Sequence, residues 1–200
     1  MSRCTNAACP AQIHERLEHF VSRGGMDIRG IGESLCTTLL EEGLVTNVAD
    51  LYDLKDKRQQ LVSLERMADK SVSNILNSIE KSKARPLSRL IFALGILHIG
   101  EEMAEILAKH FGSIDKLARA SGEKLLSIPT VGPKIADSIV AFFRQEENKK
   151  IIQRLKDAGV NPREEKAKPE ELPLASMEFV ITGRLESCPA APMLPVQLKF

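Results

Sequence analysis

The feature that most constrains this chain is a short turn that its sequence builds repeatedly. "IPTVGPKIADSIVAFF", Ile128 to Phe143, sets an apolar residue beside a glycine and then starts an apolar pattern of helical period. Anchored on Gly132, the pattern holds Val131 one residue before, Ile128 four before and Ala136 four after, with Ile139 and Val140 at seven and eight. The same offsets from Gly100 hold Ile99, Ile96, Ala104, Leu107 and Ala108. From Gly32 they hold Ile31, Ile28, Cys36, Leu39 and Leu40, and from Ala68 they hold Met67, Leu64, Val72, Ile75 and Leu76. The four anchors stand 36, 32 and 32 residues apart, the self-similarity expected of a repeated supersecondary unit.

Each copy reads as helix, tight turn, helix. The apolar turn residue is expected to tuck between the two helices, and the small residue at plus four to let them approach. The glycine is expected to permit a backbone conformation that a Cβ would hinder. One helical hairpin cannot bury both its faces. Four therefore predict an all-α core from about residue 25 to 160, the first hairpin paired with the second and the third with the fourth.

Such a turn leaves amides without intrahelical partners at the N-terminus of the second helix. Together with the helix dipole they form an anion site that suits a nucleic-acid phosphate. Contacts of this kind position a protein without reading sequence. The composition allows this and narrows it. With 28 Lys and Arg against 27 Asp and Glu, the chain is no general polycation, but local phosphate contacts need little net charge. No Trp and a single Tyr argue against base stacking as the main activity. The candidate backbone-binding residues are Gly30, Gly32, His98, Gly100, Thr130, Gly132 and Lys134. The fourth copy is the best suited to phosphate. Glu33 follows the first anchor, and Glu101 and Glu102 follow the third. The second, with Ala68 and then Asp69, reads as mainly structural. From these residues alone a helical adaptor that binds only protein stays open.

The flanks have a different character. "MSRCTNAACP" is no secretory signal and no apolar run reaches membrane-spanning length, so the expectation is a cytoplasmic monomer with no membrane partner. There the four cysteines read as metal ligands or buried thiols. Cys4 and Cys9, spaced C-x4-C, are candidate metal ligands, but two thiolates alone do not complete the four that a structural zinc site usually takes. His14 and His19 lie five apart on a predicted helix, point to different faces, and read as surface histidines. Cys36 fills a small apolar position and reads as buried and inert. Lys156 reads as a solvated residue compensating a helix dipole. "REEKAKPEELPLAS" is a linker, "MEFVITG" a strand entering a Thr-Gly turn, and "CPAAPMLPVQLKF" irregular. The expected division is 1–24, 25–160, 161–176 and 177–200.

The repeated turn resembles the helix-hairpin-helix DNA-binding motif. "CTNAACPAQ" resembles the second half of the four-cysteine zinc finger of bacterial NAD-dependent DNA ligases, and "FVITGRLES" the start of the BRCT domain that ends them. "LGILHIGEEMAEILAKHFGS" and "IPTVGPKIADSIVAFF" resemble the third and fourth hairpins of that family. The resemblance implies a parent enzyme that seals nicks in duplex DNA in replication and repair, using NAD, magnesium and a structural zinc. It implies that residues 1–24 are a zinc-finger remnant with a connecting helix and 177–200 a truncated BRCT start. The family's nucleotidyl lysine sits in Lys-Xaa-Asp-Gly, which this sequence does not contain; Lys156-Asp157-Ala158-Gly159 has the wrong order. The expectation is a C-terminal fragment, from a truncated or frame-shifted reading frame, that binds duplex or nicked DNA and is catalytically inactive alone. A stand-alone DNA-repair or junction-binding module is the alternative.

Overall fold

Each anchor of the repeat becomes the residue that caps a helix start. In the computed structural model, which describes residues 12–65 and 67–164, α1 (Ile13–Val21) and α2 (Glu33–Glu41) form the first helix pair. α3 (Arg58–Ser63) and α4 (Asp69–Ser82) form the second, α5 (Leu87–Ala93) and α6 (Glu101–Phe111) the third. After the short α7 (Ile114–Ala118) come α8 (Gly122–Leu126) and α9 (Pro133–Arg144), the fourth pair, and α10 (Glu146–Asp157). The all-α expectation is borne out: the described residues form no strand, only an isolated bridge between Ser113 and Arg163. Cys4 and Cys9, Arg66, the Thr-Gly strand and Cys188 lie outside the described residues.

Burial follows the offsets of the repeat. Ile31, Ile99 and Val131, the apolar turn residues, are buried between their helices, as are Cys36, Val72, Ala104 and Ala136 at plus four. Met67, the turn residue of the second copy, is only half-buried. The buried residues belong to one continuous apolar cluster that also takes in Leu17 and Phe20 of α1, and Met67 packs against it. Fully burying a side chain of this size contributes about 1.5–3 kcal/mol.

The helix pairs do not meet as bare hairpins. A 3₁₀ segment, Val48–Lys57, packs on α1, α3 and α4 and joins the first pair to the second. Between the third and fourth pairs α7 plays this part, touching α6 and α9. A 3₁₀ run of ten residues is long for that geometry, and two local causes support it. Asn47 and Asp50 form a reciprocal capping box at its start. Leu51, Tyr52 and Leu54 are buried along it. The Tyr52 hydroxyl lies 3.0 Å from Ser82 Oγ in α4, and burial pushes the phenol up to about 12.

Three side chains read from the sequence as solvated are structural. His19 donates from Nε2 to the Phe92 carbonyl at 2.8 Å and tilts its ring against Phe92, which ties α1 to α5. His14 shares a 2.9 Å hydrogen bond with Thr37 Oγ1 across the first helix pair. Lys156 is no free dipole compensator: its ammonium donates to both oxygens of Asp115, at 2.9 and 3.1 Å, and ties α10 to α7. Beyond α10 the backbone stays attached. The Asn161 amide donates to the Lys83 carbonyl, and the Glu164 amide to the Gly112 carbonyl.

Candidate nucleic-acid interface

Four helix starts share one local geometry. Gly32, Ala68, Gly100 and Gly132 are all extended, at φ/ψ of −104/−179, −83/155, −91/−178 and −82/169 degrees, and none receives a side-chain cap. In each, the anchor carbonyl accepts the first helical hydrogen bond from the residue at plus four: Cys36, Val72, Ala104 and Ala136. The amides ahead of that bond point out of the helix end. Among the described residues, no hydrogen bond reaches the amides of Gly132 and Lys134, or those of Gly100, Glu101 and Glu102. Unpaired amides at the positive end of a helix dipole form a receptor for an anion.

The reason for glycine at the anchors differs from the sequence expectation. A Cβ built on Gly32, Gly100 or Gly132 would meet nothing within 4 Å. Any residue adopts their φ and ψ, and Ala68 occupies the same conformation in the second copy. No strained backbone requires these glycines. What their missing side chains leave is open space outside the helix start, so that another molecule can approach the amides closely. Gly30 is the exception. Its φ is +94°, and a Cβ there would come within 2.8 Å of Ile75 Cγ1 in α4.

The turns themselves are not identical. Ile99 donates to the Ile96 carbonyl at 3.1 Å, with His98 in the left-handed region at φ 66°, a type II arrangement. Val131 closes the corresponding bond to Ile128 at 2.9 Å, while Thr130 keeps a negative φ. His98 and Thr130 are both exposed, as is Lys134 at the second position of α9. The left-handed His98 was not foreseeable from composition, because Gly30 and Thr130 at the matching positions belong to different residue types.

Electrostatics rank the four sites. The first turn of α9 has no acid and carries Pro133 and Lys134. α6 begins with Glu101 and Glu102, and α2 with Glu33, all exposed. At α4 the position is occupied from within: Asp69 pairs with Arg58 at 2.8 Å, and Arg58 also donates to Ser73 Oγ. Cys36 lies fully buried, where desolvation and then the Glu18 charge push its thiol up to about 11. Among the described residues no three His, Cys, Asp or Glu side chains gather as metal ligands.

Comparison with known proteins agrees with the geometry. The helix-hairpin-helix motif profile matches residues 89–152, which span α5 to α10 apart from the first two residues of α5 and the last five of α10. The chain is 51% identical over 188 residues to a protein named DNA ligase from Dehalococcoides mccartyi (strain CBDB1), covering 94% of this chain and 28% of that one. It is 48% identical over 185 residues to the DNA ligase of Symbiobacterium thermophilum, covering 92% and 28%. With the DNA ligase of Caldicellulosiruptor saccharolyticus it shares 50% over 183 residues, covering 92% and 27%. The chain thus spans little more than a quarter of the length of these relatives, and nearly all of it is similar to that one segment.

Proposed function

We propose that this chain, whose sequence matches a segment of bacterial DNA ligases, is the part of such a ligase that grips duplex DNA around a nick. One observation carries the reading: Gly100 and Gly132 open onto unpaired amides at the starts of long helices, and nothing in the fold itself requires glycine there. Backbone amides hold phosphate oxygens without regard to base identity, which suits an enzyme that must act at nicks of any sequence. The fourth hairpin leads, through Thr130, Gly132 and Lys134. The first and third contribute Gly30 and Gly32, and His98 and Gly100. The second serves packing.

The chemistry of the whole ligase, nick sealing with NAD as adenylate donor and magnesium, lies with other residues. These 200 contain no Lys-Xaa-Asp-Gly sequence to carry the adenylate, and on this reading they hold DNA without joining it. Cys4 and Cys9 fit half of a tetrahedral zinc site, with the remaining thiolates supplied from elsewhere in the ligase.

Titration of a labelled nicked duplex by fluorescence anisotropy, repeated across salt concentrations, tests the reading. Binding should be independent of sequence and should weaken with salt. Lys134→Ala should flatten the slope of log affinity against log salt by about 0.9, one phosphate contact. Ala68→Val should leave affinity nearly unchanged. Salt-independent binding, or none, would return the array to packed helices without a nucleic-acid partner.

A further inference from the structure

Toward the end of α9 away from its unpaired amides, the fold leaves a cleft of about 440 Å³. Its origin is a mismatch of lengths. α8 has five residues and α9 has twelve, about 7.5 Å of helix against about 18 Å, so α8 cannot cover the whole of the face it packs on. Residues 118–122, which line the rest, include Ala118, Ala120 and Gly122, too small to fill the gap. Leu117, Ile139 and Phe143 are buried at the floor of the cleft. Val140 and Ala120 are half-buried there, and Ala118 is exposed. The volume falls in the range of sites that hold a ligand, about 300–1,000 Å³.

The rim is cationic. Arg119, Arg144 and Lys149 line the cleft, all three exposed, and among the described residues no carboxylate lines it. Of the acids on the surrounding helices, Asp115, Glu146 and Glu147 are already paired, with Lys156, Lys149 and Lys150. The guanidinium groups of Arg119 and Arg144 make no hydrogen bond or ion pair among the described residues. Each stands at a helix C-terminus, where the dipole favours a cation but leaves its fork of donors open. We propose that this cleft is a docking site for an acidic segment of a partner protein. A leucine or phenylalanine of that segment enters between α7 and α9, and carboxylates on either side of it take Arg119 and Arg144. An apolar anchor in a pocket carries much of the energy of a protein interface, and guanidinium holds a carboxylate through paired bonds. Nucleic acid suits the cleft less. A phosphate backbone offers the floor no apolar side chain, and Arg144 lies about 18 Å along α9 from Gly132.

A phage-displayed library of random peptides of about twelve residues, selected on the immobilised full chain, provides the test. Enriched peptides should share Leu or Phe flanked by Asp or Glu. An enriched peptide carrying a fluorescent label, titrated by anisotropy, should bind Arg119→Ala/Arg144→Ala about tenfold more weakly than the parent chain. It should lose as much against Ala118→Phe, which fills the cleft from an exposed position. Circular dichroism should be unchanged in both variants. The nicked duplex should bind the arginine variant with the salt slope of the parent chain. A slope flatter by about 1.8, two phosphate contacts, would give the cleft to nucleic acid and overturn the docking site. No enrichment, enriched peptides without acids, or peptides that bind either variant as tightly as the parent chain would overturn it as well. The peptide titration contains no DNA, so its failure leaves the amide sites standing, and loss of duplex binding by the parent chain leaves the cleft standing.

Discussion

Two glycines differ in what the fold asks of them at single positions. Gly132 sits at φ −82° with no neighbour within 4 Å of a Cβ, whereas Gly30 sits at φ +94° with Ile75 at 2.8 Å. Gly132→Val should cost no more than about 1 kcal/mol of stability, the cost of a poorer cap. It should weaken duplex binding by about 1–3 kcal/mol, the scale of charge-assisted hydrogen bonds. Gly30→Val should cost the fold far more, about 2 kcal/mol or more of stability from strain and overlap. Urea unfolding and anisotropy on both variants check this, and a Gly132→Val chain as unstable as Gly30→Val would refute it. Cys36 gives a second test at this scale. With its thiol at about 11 and its side chain fully buried, it should resist alkylation at pH 8 in the folded chain and react once urea unfolds it. Peptide mapping of the labelled cysteines reads the result.

Among the elements, the clasp between α10 and the 3₁₀ segment carries a pH dependence. Arg154 donates to Asp50 Oδ1 at 2.6 Å and pairs with Asp53. Burial alone would raise the Asp50 carboxyl. Hydrogen bonds from the Thr46 hydroxyl and amide, from Arg154 and from the Asn47 amide outweigh it and hold Asp50 below the usual carboxylate range. A carboxyl depressed in the folded state stabilises it above the unfolded value of about 4, and that contribution is lost as pH falls through the folded value. Asp50→Asn should therefore cost about 1–3 kcal/mol near neutral pH, and the deficit should shrink below about pH 4. Urea unfolding of both chains from pH 7 down to pH 3 measures it. A deficit that does not change with pH would assign the loss to the capping box instead.

At the scale of the whole described unit, one apolar cluster runs through all four helix pairs, and polar ties cross between them. Arg89 and His19 join the first pair to the third, and Arg154 joins α10 to the 3₁₀ segment. Repeat arrays whose units touch only their neighbours can unfold piecemeal, but a shared core with long-range ties couples them. Thermal unfolding followed by far-ultraviolet circular dichroism and by Tyr52 fluorescence should give coincident single transitions. Separate transitions for the two signals would mean that the first two pairs and the last two fold independently.

Much of this protein could be read along the chain because its repeat is local. The offsets around Gly32, Ala68, Gly100 and Gly132 place an apolar turn residue, a small residue and a helical stripe by period alone. A packed helix pair needs all three, so the all-α fold and the four helix starts were legible. The reason for the glycines was not. Whether a glycine serves its own backbone or an approaching partner depends on what surrounds its missing Cβ, and residues such as Ile75, 45 positions from Gly30, decide that. The roles of His19 and Lys156 were hidden for the same cause, since their partners Phe92 and Asp115 lie 73 and 41 residues away. So was the tie from α5 to the segment between α1 and α2: only packing of α5 against α1 brings Arg85 to Asp27 and Arg89 to the carbonyls of Arg23 and Gly25. Periodicity determined which residues turn inward, because burial of a helix face is set by neighbours three and four residues away. Tertiary structure alone decided which polar groups were left facing outward, because hydrogen bonds and ion pairs form between segments whose meeting no local pattern records.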